Sequence, residues 1–292
     1  MVSIIIRTYN EEKYLEDLLE RISNQYYKDY EVILVDSGSK DNTLNIAKKF
    51  DFVNIINIKK EDFTFGHSLN VGIKKSKGNY CVMISGHCLP KDTAWLETLI
   101  DPFKDKKVGI VYGKQIGYTT TKFSEHQIFK SWFPDEKKEK QLTPFCNNAN
   151  SAIRKSLWKK LGGYDEKVSG LEDVLIATKM LKETDMYLSY QPLSSVYHIH
   201  DETWNQIRNR YYREAITYSS IHLTEKFNIL DFIKLSFINI KHDIIQLFKS
   251  DGNISNILSI FMFRINQFWG TYKGYRYTKM YNTLRKKFYY PI

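Results

Sequence analysis

Two acids stand together at Glu172-Asp173, just after Gly170, at the head of the stretch GLEDVLIATKMLKE. The order predicts a helix that opens on its carboxylates, where the unpaired amides of the first turn favour negative charge and keep both acids ionised. Three histidines close apolar runs: His87 follows YCVMISG, and His198 and His200 follow SSVY. Strand side chains alternate, so only one of His198 and His200 can face a given side. Arg208, Arg210 and Arg213 share a later stretch. Guanidinium groups match phosphate oxygens, while a solvated helix face is the plainer reading of the same cluster. These groups can handle an anionic ligand and its protons only if a fold brings them to one place.

Residues 3–7 and 30–35 are short, branched and apolar, as strands buried on both faces should be. Between them Asn10 is placed to cap a helix with Glu11 and Glu12 in its first turn and Leu15, Leu18, Leu19 and Ile22 on one face. Asp41 precedes a second helix with Leu44 and Ala47 inward; 53–58 reads as a third strand, 69–76 as a short helix and 80–85 as a fourth strand. This alternation predicts an α/β fold, a mostly parallel sheet with helices on both faces. Ligands of such sheets sit at the carboxyl ends of the strands. The strands deliver Arg7-Thr8-Tyr9-Asn10, Asp36-Ser37-Gly38-Ser39 and Ser85-Gly86-His87 to that edge.

Residues 108–112 continue the sheet, and 114–145, with the charged run DEKKEK, read as a surface excursion or mobile loop. Order returns at 147–166, and Leu171, Val174, Leu175 and Thr178 share a face of the following helix. Short strands at 187–190 and 195–197 precede His198. From about residue 226 the pattern changes to two helical stripes, one through Leu230, Ile233, Phe237, Ile240, Ile244 and Phe248 and one through Ile254, Ile257, Leu258, Phe261, Met262, Ile265 and Phe268. The stretch from Thr271 carries Lys273, Arg276, Lys279, Arg285, Lys286 and Lys287, six tyrosines and no acid. The expected division is 1–225, the α/β domain, and 226–292, a helical, basic and aromatic extension. That extension either lies on an anionic membrane surface or caps the domain with its basic residues solvated.

The 292 residues, 42% of them hydrophobic, can bury a substantial core, and the net charge of +10 calls for an anionic partner: nucleic acid, a nucleotide-bearing substrate or a membrane face. Three cysteines without metal-site spacing read as reduced thiols of a cytosolic protein. MVSIIIRTYNEE has no basic region before its apolar stretch, and no apolar run approaches the roughly 18 residues that span a bilayer, so a soluble or peripheral protein is expected.

SIIIRTYNEEKYLEDLLERI, YEVILVDSGSKDNTLNIA, FTFGHSLNVGI, GNYCVMIS, NSAIRKSLWKKLGGYDE and GLEDV, in that order, resemble the family 2 glycosyltransferases of GT-A fold. The combination of IRTYNE, FTFGHSLN, SGHCLP and a late HIH is similar to the bacterial rhamnosyltransferase-like branch. The likeness covers roughly residues 1–215. It implies a Rossmann-like GT-A domain with a C-terminal helical appendage and an inverting transfer of one sugar from a nucleotide-sugar donor to a glycan or lipid-linked hydroxyl. The Gln-x-x-Arg-Trp signature of polymerising relatives is absent, since 206–211 read QIRNRY.

The resemblance distributes roles. Thr8, Tyr9, Asn10, Glu12 and Asp36 stand where the family surrounds base and ribose, although Asp36-Ser37-Gly38 also reads as a polar turn. The family's metal-binding Asp-x-Asp is replaced by Ser85-Gly86-His87. A divalent ion, Mn2+ or Mg2+, is therefore in doubt; imidazole suits manganese, iron or zinc better than magnesium, with His87, His200 and His198 as ligands. Without an ion, protonated His87, Arg154, Arg208 and Arg210 are the groups to offset phosphate charge. Asp173 would be the base for the acceptor hydroxyl, with Glu172 beside it. Gly66 would allow close backbone approach, His67 could reach a phosphate or the base, and Asn70 could pin the loop or be simply buried and satisfied. Asn147, Asn148 and Asn150 suit sugar hydroxyls or turns.

The implied setting is synthesis of a bacterial capsule or lipopolysaccharide, peripheral on the cytoplasmic face of the cell membrane, with rhamnose from a dTDP carrier following from the branch. Two other readings stand beside it. Loss of the Asp-x-Asp suggests a degenerate GT-A domain that binds nucleotide or glycan without transfer. The net charge suggests nucleic acid, but no recognised motif for it is present and no nucleic-acid partner is expected.

Overall fold

The protein is described by a computed structural model covering residues 1–168, 170–221, 224–250 and 252–277. Its elements run β1 (Val2–Thr8), α1 (Leu15–Ser23), β2 (Tyr30–Asp36), α2 (Thr43–Ala47), β3 (Val53–Asn57), α3 (Phe65–Lys75), β4 (Tyr80–Ser85) and β5 (Cys88–Pro90). Then follow α4 (Trp95–Ile100), β6 (Val108–Gly117), α5 (Phe123–Trp132), β7 (Lys138–Gln141), β8 (Asn150–Arg154) and α6 (Lys155–Lys160). The chain continues with α7 (Glu172–Glu183), β9 (Tyr187–His198), α8 (Trp204–Ile221), α9 (Ile229–Lys249) and α10 (Asn256–Tyr275). Two compact units result: 1–116 with 133–167 and 172–199, and 117–132 with 168–171 and 200–292. The expected division after residue 225 falls inside the second.

In the first unit the sheet order is β3-β2-β1-β4-β8-β6-β9-β5, with β7 against β9. β3, β2, β1 and β4 are parallel neighbours. Ile4, Ile5, Ile6, Val82 and Ile84 are wholly buried, which is why their sequences are unbroken apolar runs. The register sets Thr8 opposite Asp36 and Arg7 opposite Ser85, so the tips of β1, β2 and β4 end at one edge. β8 then enters antiparallel to β4, and β6 antiparallel to β8, so β6 runs with the first four strands. The α/β class, the mostly parallel sheet and the C-terminal helices are as expected.

Several elements differ from expectation. α1 starts at Leu15, not after Asn10; Asn10 takes a left-handed conformation (φ 56°) and its Oδ1 accepts the Lys40 N–H, while Leu15, Leu18, Leu19 and Ile22 are the buried face. α3 begins at Phe65, earlier than expected, because the Thr64 hydroxyl caps it by accepting the His67 N–H. The excursion of 114–145 is ordered: β6 runs on to Gly117, α5 buries Ile128 and Phe129, and β7 joins β9. The charged run had masked the apolar spacing in front of it. The two short strands before His198 are one, the twelve-residue β9.

The second unit holds α5, α8, α9 and α10, with Ile128, Ile207, Tyr211 and Phe263 in one cluster and Ile240, Leu247 and Ile260 in another. A buried bidentate pair, Arg264 Nε and Nη2 to Asp243 at 2.7 and 2.9 Å, links α9 to α10. α9 buries Ser236, Ile240, Asp243 and Leu247; of the expected stripe, Ile240 is buried, whereas Leu230, Ile233, Phe237 and Phe248 are exposed. Among the described residues no helix is long and apolar enough to cross a membrane. Lys279, Arg285, Lys286 and Lys287 of the expected basic tail lie outside the described residues.

Candidate active site

α7 buries the face that carries its acids: Glu172, Asp173, Ile176, Ala177 and Met180, with Val174, Leu175 and Thr178 only half-buried. Asp173 Oδ2 accepts the Asn148 N–H at 3.0 Å and Oδ1 the Val174 N–H at 2.8 Å. Glu172 Oε1 accepts from Asn148 Nδ2 at 3.2 Å and lies 3.6 Å from Arg7 Nη1. Asn148 completes its set by accepting from Ser151 and the Tyr164 hydroxyl. Arg7 comes from the tip of β1, packs its guanidinium over Phe65, and leaves a buried Nη1 without a hydrogen-bond partner.

These surroundings correct the expectation that both acids stay ionised. Burial, and after it the neighbouring Glu172, push the Asp173 carboxyl up to about 7, against the pull of its two N–H donors and Arg7. A helix start by itself lowers an acid; loss of water and a like charge outweigh it here. The result is a carboxylate whose proton is exchanged near neutrality.

The loop ahead of α7 is held by α3. Asn70 Nδ2 donates to the Tyr164 carbonyl and to Glu166 Oε1, and Asn70 Oδ1 accepts from Trp158 Nε1 and the Tyr164 N–H. Its amide is saturated by protein, so Asn70 is buried and satisfied while it pins the loop, and it has no donor or acceptor left for a ligand. His67 Nδ1 lies 3.0 Å from Glu166 Oε2, and a Cβ on Gly66 would stand 2.2 Å from the Asp165 carbonyl. Gly66 thus serves the approach of α3 to this turn. Donors from Asn70 and His67 hold the Glu166 carboxyl below its ordinary value although burial opposes them.

At the strand tips, Asp36 is fully buried and both its oxygens are engaged: Oδ1 by Thr8 and Ser39 hydroxyls, Oδ2 by the Gly38 and Ser39 N–H groups at 2.9 Å. The polar-turn reading describes this geometry. Asn10 and Glu12 carry the lacing further, to the Lys40 and Asn42 N–H groups. Tyr9 meets Lys60, whose Nζ donates to its hydroxyl at 2.8 Å. Ser85 is buried at the tip of β4.

His87 and His198 stack with centroids 5.3 Å apart, and a ligating nitrogen of each lies within 4.8 Å of the other's. His87 Nδ1 is 2.8 Å from Glu11 Oε1 and His198 Nδ1 is 2.7 Å from Gln115 Oε1. With an acceptor at each Nδ1, the N–H sits there, the arrangement that orients metal-binding imidazoles. This donor set fits a divalent ion of the manganese or zinc kind. His200 opens the second unit, where its Nδ1 meets Glu125 at 2.7 Å. Glu125, His200 and Glu202 also cluster, but Arg210 Nη2 already bridges the carboxylates at 2.6 and 2.7 Å and, after burial's opposing effect, its charge draws Glu125 down to about 2. A cation is already provided there by the chain.

Arg154 is corrected: it pairs with Tyr80, at the end of β4 opposite Ser85, and its guanidinium donates to the Val108, Phe103 and Asp105 carbonyls. Arg210 and Arg208 are likewise engaged, by Glu125 and Glu202 and by Asn205. Sequence reasoning missed Arg7, Glu11, Gln115 and Glu125 as parts of these sites. Arg7 alone gave a signal, a charge at the end of an otherwise apolar strand.

The profile of Glycosyl transferase family 2 matches residues 3–162. The O-antigen chain rhamnosyltransferase RfbN of Salmonella typhimurium is 26% identical over 226 residues, 74% of this chain and 71% of that protein. A dolichyl N-acetyl-alpha-D-glucosaminyl phosphate 3-beta-D-2,3-diacetamido-2,3-dideoxy-beta-D-glucuronosyltransferase of Methanococcus voltae is 29% identical over 193 residues, 63% of this chain and 55% of that one. Among solved structures, the mannosyltransferase PcManGT of Pyrobaculum calidifontis with GDP-Man and Mn2+ superposes with a TM-score of 0.63 at 16% identity, covering 94% of this chain and 86% of that chain. S. aureus TarS 1-349 with UDP-GlcNAc gives 0.61 at 17%, covering 91% and 80%. The fold is GT-A.

Proposed function

This chain belongs to Glycosyl transferase family 2, a glycosyltransferase family, and from that premise we propose that it moves a single sugar from a nucleotide-sugar donor to a hydroxyl of a glycan or lipid-linked oligosaccharide, inverting the anomeric carbon. Asp173 takes the proton of the acceptor hydroxyl as that oxygen bonds to the anomeric carbon, while the bond to the donor's phosphate oxygen breaks and the nucleoside diphosphate leaves. The observation that carries the reading is the buried Asp173 carboxyl, held by two N–H donors and raised to about 7, where a base both accepts and releases protons. Asn148 orients Asp173 through its N–H and Glu172 through its side-chain amide. Asn70 and Glu166 hold the turn that leads into α7.

The rim of Thr8, Tyr9, Asn10, Glu12 and Asp36 receives the nucleotide, on a loop that their own hydrogen bonds hold in shape. His87 and His198 would hold a divalent ion. Such an ion, when bound, offsets charge on the leaving diphosphate. Similarity to a Salmonella O-antigen rhamnosyltransferase supports dTDP-rhamnose as the first donor to try and surface polysaccharide as the product. The expected location is the cytoplasmic face of the cell membrane.

Thermal shift with dTDP, UDP and GDP and their sugars, with and without Mn2+, tests donor binding, since a ligand of the native state at about 100 Kd stabilises it by about 2.7 kcal/mol. One carrier should raise Tm. Asp173→Asn should keep that shift and lose transfer by about 10²- to 10⁴-fold. A flat response to every carrier sinks the donor reading, and full transfer by Asp173→Asn removes the base. The replaced Asp-x-Asp favours one rival, a degenerate domain that binds without turnover; it predicts a carrier shift with no donor cleavage in the wild type.

A further inference from the structure

α9 turns an apolar face to solvent. Ile229, Leu230, Ile233, Phe237, Ile238, Ile245 and Phe248 are between 42% and 70% exposed, along a helix of 21 residues, about 31 Å long. Scattered exposed apolar side chains are ordinary; seven on one helix face are not. At 100° per residue they occupy one half of the helix surface, and Lys234 and Lys241, both exposed, fall inside that arc with Lys249 at its edge. The helix has no exposed acid: Asp231 is half-buried in the capping box with Asn228, and Asp243 is buried against Arg264. Only Ser236, Ile240, Asp243 and Leu247 are buried on α9, a narrow seat of two polar and two apolar side chains, while the seven exposed apolar residues stay outside it.

We propose that the outward face of α9 is the docking surface of this protein for an anionic lipid bilayer, lying in the interface plane. The charge pattern selects that occupant. A second copy or another protein would bury the patch in a core from which lysine is normally depleted. A bilayer accepts apolar side chains among its acyl chains while lysines within the same arc reach the headgroup phosphates along their own methylene stems. Lying on the surface also agrees with the lack of any described helix apolar enough to cross it. The proposal stands apart from the transfer reading, since no donor takes part in it.

The test is sedimentation of the full chain with vesicles of phosphatidylcholine alone and with about 30% phosphatidylglycerol. Binding is expected to the anionic vesicles and to weaken with salt. Phe237→Ser with Phe248→Ser should lower the partition at least about tenfold, and Lys234→Gln with Lys241→Gln should lower it about tenfold and flatten the salt dependence. Circular dichroism and Tm are read for each variant, and the lysine pair, being exposed, keeps the test decisive if the phenylalanine pair misfolds. Equal binding by wild type and both variants, or none to anionic vesicles, overturns the proposal. So does concentration-dependent self-association that the phenylalanine pair abolishes without any vesicle binding, which would make the occupant a second copy.

Discussion

Arg7, at the tip of the first strand, reaches the acid pair of α7 through Glu172, and its charge is felt at Asp173. The carboxyl is raised by burial and by Glu172, and the guanidinium of Arg7 acts the other way. Arg7→Gln should therefore lift the Asp173 titration further and move the acid limb of the pH–rate profile to higher pH, while Arg7→Lys should bring it most of the way back. A purely structural Arg7 would lower the rate at every pH without moving the limb. At this scale the sequence showed the acid pair and the imidazoles, because their types alone suggest chemistry. It did not show that Asp36 would have both oxygens engaged by its own turn and Thr8, or that Arg154, paired with Tyr80 at the start of β4, would give its donors to the Phe103, Asp105 and Val108 carbonyls. Hydrogen-bond partners depend on register, and register comes from long-range pairing.

Between residues and whole molecule stands the contact of α3 with the turn that precedes α7. Asn70 fills four hydrogen-bonding positions there, two of them across to Tyr164, and Gly163 (φ 87°) approaches its side chain closely. Asn70→Ala leaves the Trp158 and Tyr164 groups buried without partners and should destabilise the protein by about 3 kcal/mol, seen as a lower denaturation midpoint with unchanged m-value. Gly66→Ala, whose methyl would meet the Asp165 carbonyl, should push the turn outward. The predicted readout is a fall in kcat larger than any change in donor affinity. The spacing of FTFGHSLN and GGYDE marked both segments, but an interaction across 94 residues has no local signature. α5 was missed because the charged run behind it hid its apolar spacing, and the stripe of α9 left two readings open because periodicity identifies an apolar face and does not say whether protein or something else covers it.

Across the whole molecule, the parallel half of the sheet was legible because strands buried on both faces must be apolar throughout, whereas the antiparallel insertion of β8 between β4 and β6 follows from no local pattern. Buried ionisable groups give the fold a pH dependence with two signs. Asp173 binds its proton more tightly in the native state, so its contribution is complete below the unfolded value and lost as pH rises through about 7. Asp173→Asn should thus melt above wild type at pH 8 and converge with it towards pH 4, as differential scanning calorimetry would read. Glu125 works in the opposite sense: its pairing with Arg210 stabilises above the unfolded value and is lost as pH falls towards 2. The central claim is that a GT-A cleft uses Asp173 as the base in sugar transfer. It is tested most directly by the rate of nucleoside diphosphate release from the donor that stabilises the protein, followed with acceptor from pH 5 to 9. The account predicts a rate that falls tenfold per pH unit below about 7 and drops by about 10²- to 10⁴-fold in Asp173→Asn; a rate level across that range, or one that the substitution leaves unchanged, would contradict it.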